Sequence, residues 1–174
     1  MQRPKVLLTN AIHPAWMGPL QAECDVVEAP DAKPATLAAL LAHADGLIVR
    51  AQLAPDVFDH APRLRAVVRH GVGLDMIPVP AATTRRIPVA NLPGSNTAAV
   101  VEYVIAALFH FRRPLARFDA ALRADGWARA RPLADHSTEL AGSTLGIVGV
   151  GAIGSRLALA AQALGLKVIA HTRR

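Results

Sequence analysis

Cysteine is nearly missing from this chain: Cys24 is the single one, which excludes an internal disulfide framework. It stands in a short apolar run and is expected to be an inert core thiol. Aromatic residues are scarce at 4%. No basic run interleaved with aromatics occurs, so a nucleic-acid surface is not expected. Acidic residues are outnumbered, giving a formal charge of +6. The densest arginine group, Arg112 to Arg131, is interrupted by Asp119 and Asp125, and the excess charge reads as a general pull on anionic ligands. Long hydrophobic runs are lacking too. The longest, Ala98 to Phe111, is broken by Glu102 and is too short to span a bilayer. The polar start leads straight into Lys5-Val6-Leu7-Leu8-Thr9, without the apolar region and cleavage site of a secretory leader. A cytoplasmic protein with no membrane partner is expected, and no metal at its site.

What is present is aliphatic. Hydrophobic residues make up 52% of the chain, with Ala, Val and Leu abundant, which suits Ala-rich helices packed on Val/Ile/Leu strands, an α/β class. Strand-like runs fall at Lys5–Thr9, Asp25–Ala29, Gly46–Arg50, Arg65–Arg69 and Ile87–Leu92. Helical patterns separate them at Pro14–Glu23, Thr36–Ala44, Pro55–Ala61 and Val79–Arg85. This alternation predicts a parallel sheet wrapped on both faces, with the loops after the strands gathered on one edge.

At Pro93-Gly94-Ser95-Asn96 the texture changes to a turn with a candidate helix cap. The segment Thr97–Arg113 is apolar nearly all round, which predicts a helix buried on several sides. Pro114 ends or kinks it, a second helix runs from Leu115 to Ala124, and Ala128–Gly142 reads as irregular. The spacing gives three segments, 1–95, 96–142 and 143–174. The last holds a strand at Thr144–Gly149, a helix from Ala152 to Leu164 closed by Gly165, and a strand at Lys167–Thr172.

Between that first strand and the helix lies Gly149-Val150-Gly151-Ala152-Ile153-Gly154. Gly149 permits the tight turn, Gly151 lets a pyrophosphate approach the backbone, and Gly154 lets helix and strand pack closely. The helix N-terminus offers free N–H groups to phosphate. A tight turn without ligand is the plainer alternative, and the flanking strands weigh against it. NAD sites place an acid at the end of the second strand to hold the ribose 2′-hydroxyl. Here stand Thr172, Arg173 and Arg174. Thr172 does not repel a 2′-phosphate and Arg173 or Arg174 could pair with one, which tilts the expected cofactor from NAD toward NADP. A solvated chain end is the other reading of these arginines.

Four segments resemble the D-isomer-specific 2-hydroxyacid dehydrogenases, a family that includes phosphoglycerate, glycerate, hydroxypyruvate and glyoxylate enzymes. They are Gly46-Leu47-Ile48-Val49-Arg50; Gly71-Val72-Gly73-Leu74-Asp75; Asn91-Leu92-Pro93-Gly94-Ser95-Asn96-Thr97 with Val100-Val101-Glu102; and Gly126-Trp127, Glu139-Leu140 and Thr144-Leu145-Gly146-Ile147 leading into the glycine motif. The resemblance implies a flavodoxin-like substrate domain, a long connecting helix at the dimer core, and the first βαβ unit of a Rossmann domain. It implies that Val72 and Gly73 offer backbone N–H groups to the substrate carboxylate, and that Val72 borders the nicotinamide. It further implies that Arg50 helps hold an anionic substrate and that Ala152 and Ile153 lie at the pyrophosphate. Thr172 replaces the family's ribose-binding Asp. From the residues alone, Arg50 reads equally as a solvated strand end, and Asp75 as a cap for the next helix.

The family's chemistry also needs an Arg for the carboxylate, a His for the hydroxyl proton and a Glu to orient that His. The resemblance places all three beyond the second strand of the cofactor domain. None of the seven histidines, His13, His43, His60, His70, His110, His136 and His171, matches the catalytic one, and His70 reads as structural or as lining the cleft. The chain is therefore expected to be truncated within the cofactor domain, to carry no catalytic residue and to be inactive alone. Leu157, Leu159, Ala160, Leu164, Val168 and Ile169 are expected to form an exposed apolar patch. A homodimer through residues 97–113 is expected. The alternative to the dehydrogenase is a non-catalytic, dinucleotide-responsive dimerisation or regulatory module.

Overall fold

The computed structural model describes residues 3–173, so Arg174, one of the candidate phosphate partners, lies outside the described residues. The chain divides into two compact units, Met1–Ser95 and Asn96–Arg174.

The first unit is built on strands β1 (Lys5–Leu8), β2 (Asp25–Glu28), β3 (Gly46–Val49), β4 (Ala66–Arg69) and β5 (Val89–Ala90). They pair in parallel in the order β2-β1-β3-β4-β5, the flavodoxin-like order. Helices α1 (Pro14–Glu23), α2 (Pro34–Leu41) and α3 (Val79–Thr84) complete it. Strand alternation sends Leu7, Leu47, Val49 and Val67 to one face, where Leu37 and Leu41 of α2, Phe58 and Ala82 of α3 bury them. The other face carries α1, which buries none of its residues. Cys24 is only half-buried, because it caps the end of α1 rather than entering the core.

Three details depart from the sequence reading. The helix expected over Pro55–Ala61 is a 3-10 turn at Val57–His60, since Pro62 cannot continue a helix and Val57 and Phe58 need only one turn to reach the core. Strand β5 is two residues long at the sheet edge, where Pro88 offers only its carbonyl, taken by the Val67 N–H at 3.0 Å. Helix α3 begins after Pro78 without a side-chain cap, so Asp75 does not cap it.

Two side chains tie the strands at opposite edges. At the amino edge, the Asp45 carboxylate accepts from the Lys5 N–H at 2.9 Å and pairs with Arg63 at 3.0 Å. The Lys5 bond is the main reason that its pKa is lowered. At the carboxyl edge, the buried Thr9 hydroxyl accepts from the Arg50 N–H at 2.8 Å and the Ala51 N–H at 3.2 Å. Thr9 thereby fixes the exit of β3 against the end of β1, the pair at which strand order reverses.

The second unit holds α4 (Thr97–Arg112), α5 (Leu115–Asp125), α6 (Trp127–Ala130), β6 (Thr144–Val148), α7 (Ala152–Ala163) and β7 (Lys167–His171). β6 and β7 pair in parallel as a two-stranded sheet. Asn96 precedes α4 but makes no side-chain cap bond. The stretch expected to be irregular contains α6 and a 3-10 turn at Arg131–His136. Nor is α4 buried on several sides. Val101, Val104 and Ile105 pack with Ile147 and Leu157, while Tyr103 is 75% and Phe111 82% exposed. That packing corrects the expected patch as well. Leu157 is buried, Leu164 and Val168 are half-buried, and α4 supplies their cover together with Leu140 and Leu166. Leu159 and Ile169 remain exposed, joined by Val148.

Replacing Thr9 with Val keeps the shape and leaves the Arg50 and Ala51 amides without their acceptor. Urea denaturation should show a loss of about 1–3 kcal/mol with an unchanged slope.

Candidate functional site

Two sites emerge, one in each unit. In the first unit, parallel pairing sends the carboxyl ends of β1, β3, β4 and β5 to one edge, the edge at which such sheets bind ligands. Thr9, Arg50, His70–Gly73 and Asn91 follow those strands. Arg50 is exposed there, with its guanidinium turned back onto the Ala11 carbonyl. Val72 and Gly73 are exposed on the loop after β4. The structure thus brings Arg50, Val72 and Gly73 to one edge.

The loop's backbone is asymmetric in its bonding. Arg69 Nη1 donates to the His70 carbonyl at 2.8 Å, the Leu92 N–H to the Gly71 carbonyl at 2.9 Å, Asn91 Nδ2 to the Val72 carbonyl at 2.7 Å, and Arg69 Nε to the Gly73 carbonyl at 3.1 Å. Four consecutive carbonyls are therefore engaged. Among the described residues, the N–H groups of Val72 and Gly73 donate to no protein acceptor. A loop with its acceptors engaged and its donors free has the chemistry to receive an anion. Glycine is needed at Gly71, where a β-carbon would press within 3.1 Å of the Arg69 guanidinium. Arg69, Asn91 and Thr9 were not legible as site residues: each acts through the backbone of a distant or irregular segment and belongs to no local motif.

His70 sits at the start of this loop. Its backbone N–H donates to the Val49 carbonyl at 3.0 Å, and its Nδ1 is buried without a partner among the described residues. It lines a groove of about 250 Å³ with Ile12, Trp16, Ile48, Val68 and Leu92. Burial lowers its pKa, and the charges of Arg50 and Arg69 lower it further.

In the second unit, the glycine turn has Gly149 at φ +94°, a conformation that favours glycine. The Gly149 N–H donates to the His171 carbonyl at 2.7 Å, joining the turn to the end of β7. A β-carbon at Gly154 would overlap the Gly149 carbonyl oxygen, so only glycine lets α7 sit this close to the turn. At Gly151 a β-carbon would meet nothing within 4 Å, which leaves room for a ligand against the backbone. Ala152 and Ile153 form the first turn of α7, whose N–H groups point toward that space. A cavity of about 420 Å³ is lined by Val148, Gly149, Val150, Gly151, His171, Thr172 and Arg173. The structure therefore joins the glycine turn to Thr172 and Arg173 in one cavity, with no carboxylate in its lining among the described residues. The open backbone and the helix end fit a dinucleotide pyrophosphate.

The lowered pKa of His70 has a defined consequence for stability. A histidine depressed below its ordinary 6.5 contributes stability above that pH and loses it as pH falls into the window beneath. Resistance of the chain to urea should weaken as pH drops below 6.5, and His70→Gln should remove that part of the slope.

Comparison with known proteins agrees with the geometry. The family model for the catalytic domain of D-isomer specific 2-hydroxyacid dehydrogenases matches residues 6–172. D-3-phosphoglycerate dehydrogenase of Mycobacterium leprae is 38% identical over 175 residues, covering 98% of this chain and 32% of the relative. Glyoxylate reductase of Aeropyrum pernix is 35% identical over 182 residues, covering 99% of this chain and 54% of the relative. The crystal structure of NADPH-dependent glyoxylate/hydroxypyruvate reductase of Sinorhizobium meliloti, in complex with NADP and malonate, superposes with a TM-score of 0.83 at 29% identity, covering 99% of this chain and 54% of that one. The chain spans between a third and about half of the length of these relatives. With almost every residue inside the family match, this chain belongs to the D-isomer specific 2-hydroxyacid dehydrogenases.

Proposed function

We propose that the protein's reaction is hydride transfer between NAD(P)H and a small 2-oxo or D-2-hydroxy acid. In this reading residues 1–95 form the substrate domain, 96–142 the helical connector and dimer segment, and 143–174 the beginning of the cofactor domain. The observation that carries it is the bonding of His70–Gly73, with carbonyls engaged and the Val72 and Gly73 amides free. A carboxylate oxygen accepts from those amides, and Arg50 adds positive charge at the same edge. Val72 borders the nicotinamide. The malonate in the Sinorhizobium meliloti reductase, a dicarboxylate, supports an anionic substrate of this size.

The bound dinucleotide supplies the hydride. Gly149, Gly151, Ala152, Ile153 and Gly154 hold its pyrophosphate by backbone. Thr172 and Arg173 meet the adenosine ribose, where Arg173 favours a 2′-phosphate and so NADP over NAD. The NADP in the same relative supports this preference. In this reading no residue of 1–174 is assigned as the proton-transferring histidine, its glutamate or a carboxylate-binding arginine, and the 174-residue chain is proposed to bind without turnover.

A second reading rests on α4, whose exposed Tyr103 and Phe111 form an apolar surface with no partner among the described residues. A homodimer forms through residues 97–113, and in this reading the dinucleotide controls that assembly without catalysis.

Fluorescence titration should show NADPH binding more tightly than NADH. Arg173→Ala should weaken NADPH about tenfold while leaving NADH unchanged. Equal affinities in both proteins would remove the NADP preference, and reduction of hydroxypyruvate or glyoxylate by the chain alone would overturn its inactivity. Sedimentation should show a dimer that Phe111→Asp converts to monomer. Dissociation or assembly driven by NADPH would favour the regulatory reading over the enzymatic one.

A further inference from the structure

We propose that Asn91 and Arg69 are positioning residues for the substrate loop, holding its carbonyls so that the Val72 and Gly73 amides face a carboxylate. The inference deepens the proposed function and rests on its reading of that loop. It follows from the planarity of the peptide group, in which the carbonyl of one residue and the N–H of the next point in opposite directions. Whatever holds a carbonyl therefore aims the following amide.

The Val72 carbonyl accepts from Asn91 Nδ2 at 2.7 Å, which turns the Gly73 N–H the other way. The Gly71 carbonyl accepts from the Leu92 N–H at 2.9 Å, which turns the Val72 N–H the other way. Both donors come from adjacent residues immediately after β5, so one short segment aims both amides. Without the Asn91 bond, the Val72–Gly73 peptide would be free to rotate at Gly73, where glycine offers little steric resistance.

Arg69 fixes the ends of the loop. One guanidinium reaches the Val49 carbonyl at 3.0 Å, the His70 carbonyl at 2.8 Å and the Gly73 carbonyl at 3.1 Å. It ties the exit of β3, which leads into Arg50, to both ends of the loop. Arg69 is half-buried and, among the described residues, pairs with no carboxylate. Its charge acts at the loop beside the Asp75 carboxylate, whose Oδ1 lies 2.5 Å from where a β-carbon at Gly73 would stand. A lysine at this position would keep the charge, but its single ammonium has no planar fork with which to span three carbonyls.

The test uses the full chain, ¹⁵N-labelled, with oxamate as the probe because it is an isostere of a 2-oxo acid. In the parent chain the Val72 and Gly73 amide resonances should shift on titration. Asn91→Asp, which sets an acceptor against the Val72 carbonyl, and Arg69→Met should each raise the oxamate Kd about tenfold or more. Backbone ¹⁵N order parameters at Val72 and Gly73 should fall in both variants, while those at Leu47 and Val67 stay as in the parent. Asn91→Ala removes the donor without adding charge and should weaken binding in the same direction, so the proposal stays testable if Asn91→Asp unfolds the chain. Arg69→Lys should bind like Arg69→Met, and parent-like affinity would show that charge alone suffices and overturn the assignment of Arg69. Folded variants that bind oxamate as the parent does, with unchanged loop order parameters, would overturn the proposal. If instead the parent's Val72 and Gly73 resonances do not move, the carboxylate reading itself falls, a result distinct from variants that bind normally.

Discussion

The structure of this sheet edge depends on one constraint: a peptide whose carbonyl is bound on one side must turn its N–H to the other. In the loop after β4 the carbonyls of His70, Gly71, Val72 and Gly73 all receive donors from the protein. Their engagement stiffens the loop and orders the amides before any ligand arrives. A flexible glycine loop would have to lose that freedom on binding, and the cost would come out of the affinity. Here two glycines, the residues with the most freedom to lose, sit inside a segment held at every carbonyl. Gly71 allows the close approach of Arg69, and the side chains of Arg69 and Asn91 remove the mobility that the two glycines bring.

The sheet beneath makes this possible. Thr9 binds the exit of β3 through the Arg50 and Ala51 amides, and Arg69 binds the same exit through the Val49 carbonyl. The ends of β1, β3 and β4 are thus fixed relative to one another by side chains as well as by ladder bonds. At this junction the His70 Nδ1 is buried without a partner among the described residues, and burial together with the charges of Arg50 and Arg69 disfavours the protonated imidazole.

What the sequence made legible was local. The glycine motif declares itself within six residues because each glycine answers to a turn or a contact a few positions away. The strands were readable from their apolar runs, and parallel pairing then places Arg50, Val72 and Gly73 on one edge. The side chains that hold the backbone at this edge were not readable. Asn91 donates to Val72 across 19 positions, and Thr9 accepts from Arg50 across 41. Such bonds join a side chain to a backbone group, so no residue type at the backbone end records them. The girth of α4 bears on the same point. Apolar residues all round a helix state that its faces need cover, and within its own unit the cover found is α7, β6 and their neighbours, on one side.

The two sites share a chemistry that bears on how selectivity arises. The loop at Val72–Gly73 and the turn at Gly149–Gly151 both present backbone N–H groups, which recognise a carboxylate or a phosphate by charge and geometry but carry no information about the rest of the ligand. Discrimination must then come from the side chains at the margins. At the turn those are Thr172 and Arg173, in a cavity lined without a carboxylate. At the loop they are Arg50 and the face of Val72. On the proposed function, altering a margin residue would change cofactor preference or acid while the receptor backbone stayed as it is. In the loop this separation is built in, because its carbonyls are held by Arg69, Asn91 and the Leu92 N–H rather than by Arg50 or the side chain of Val72.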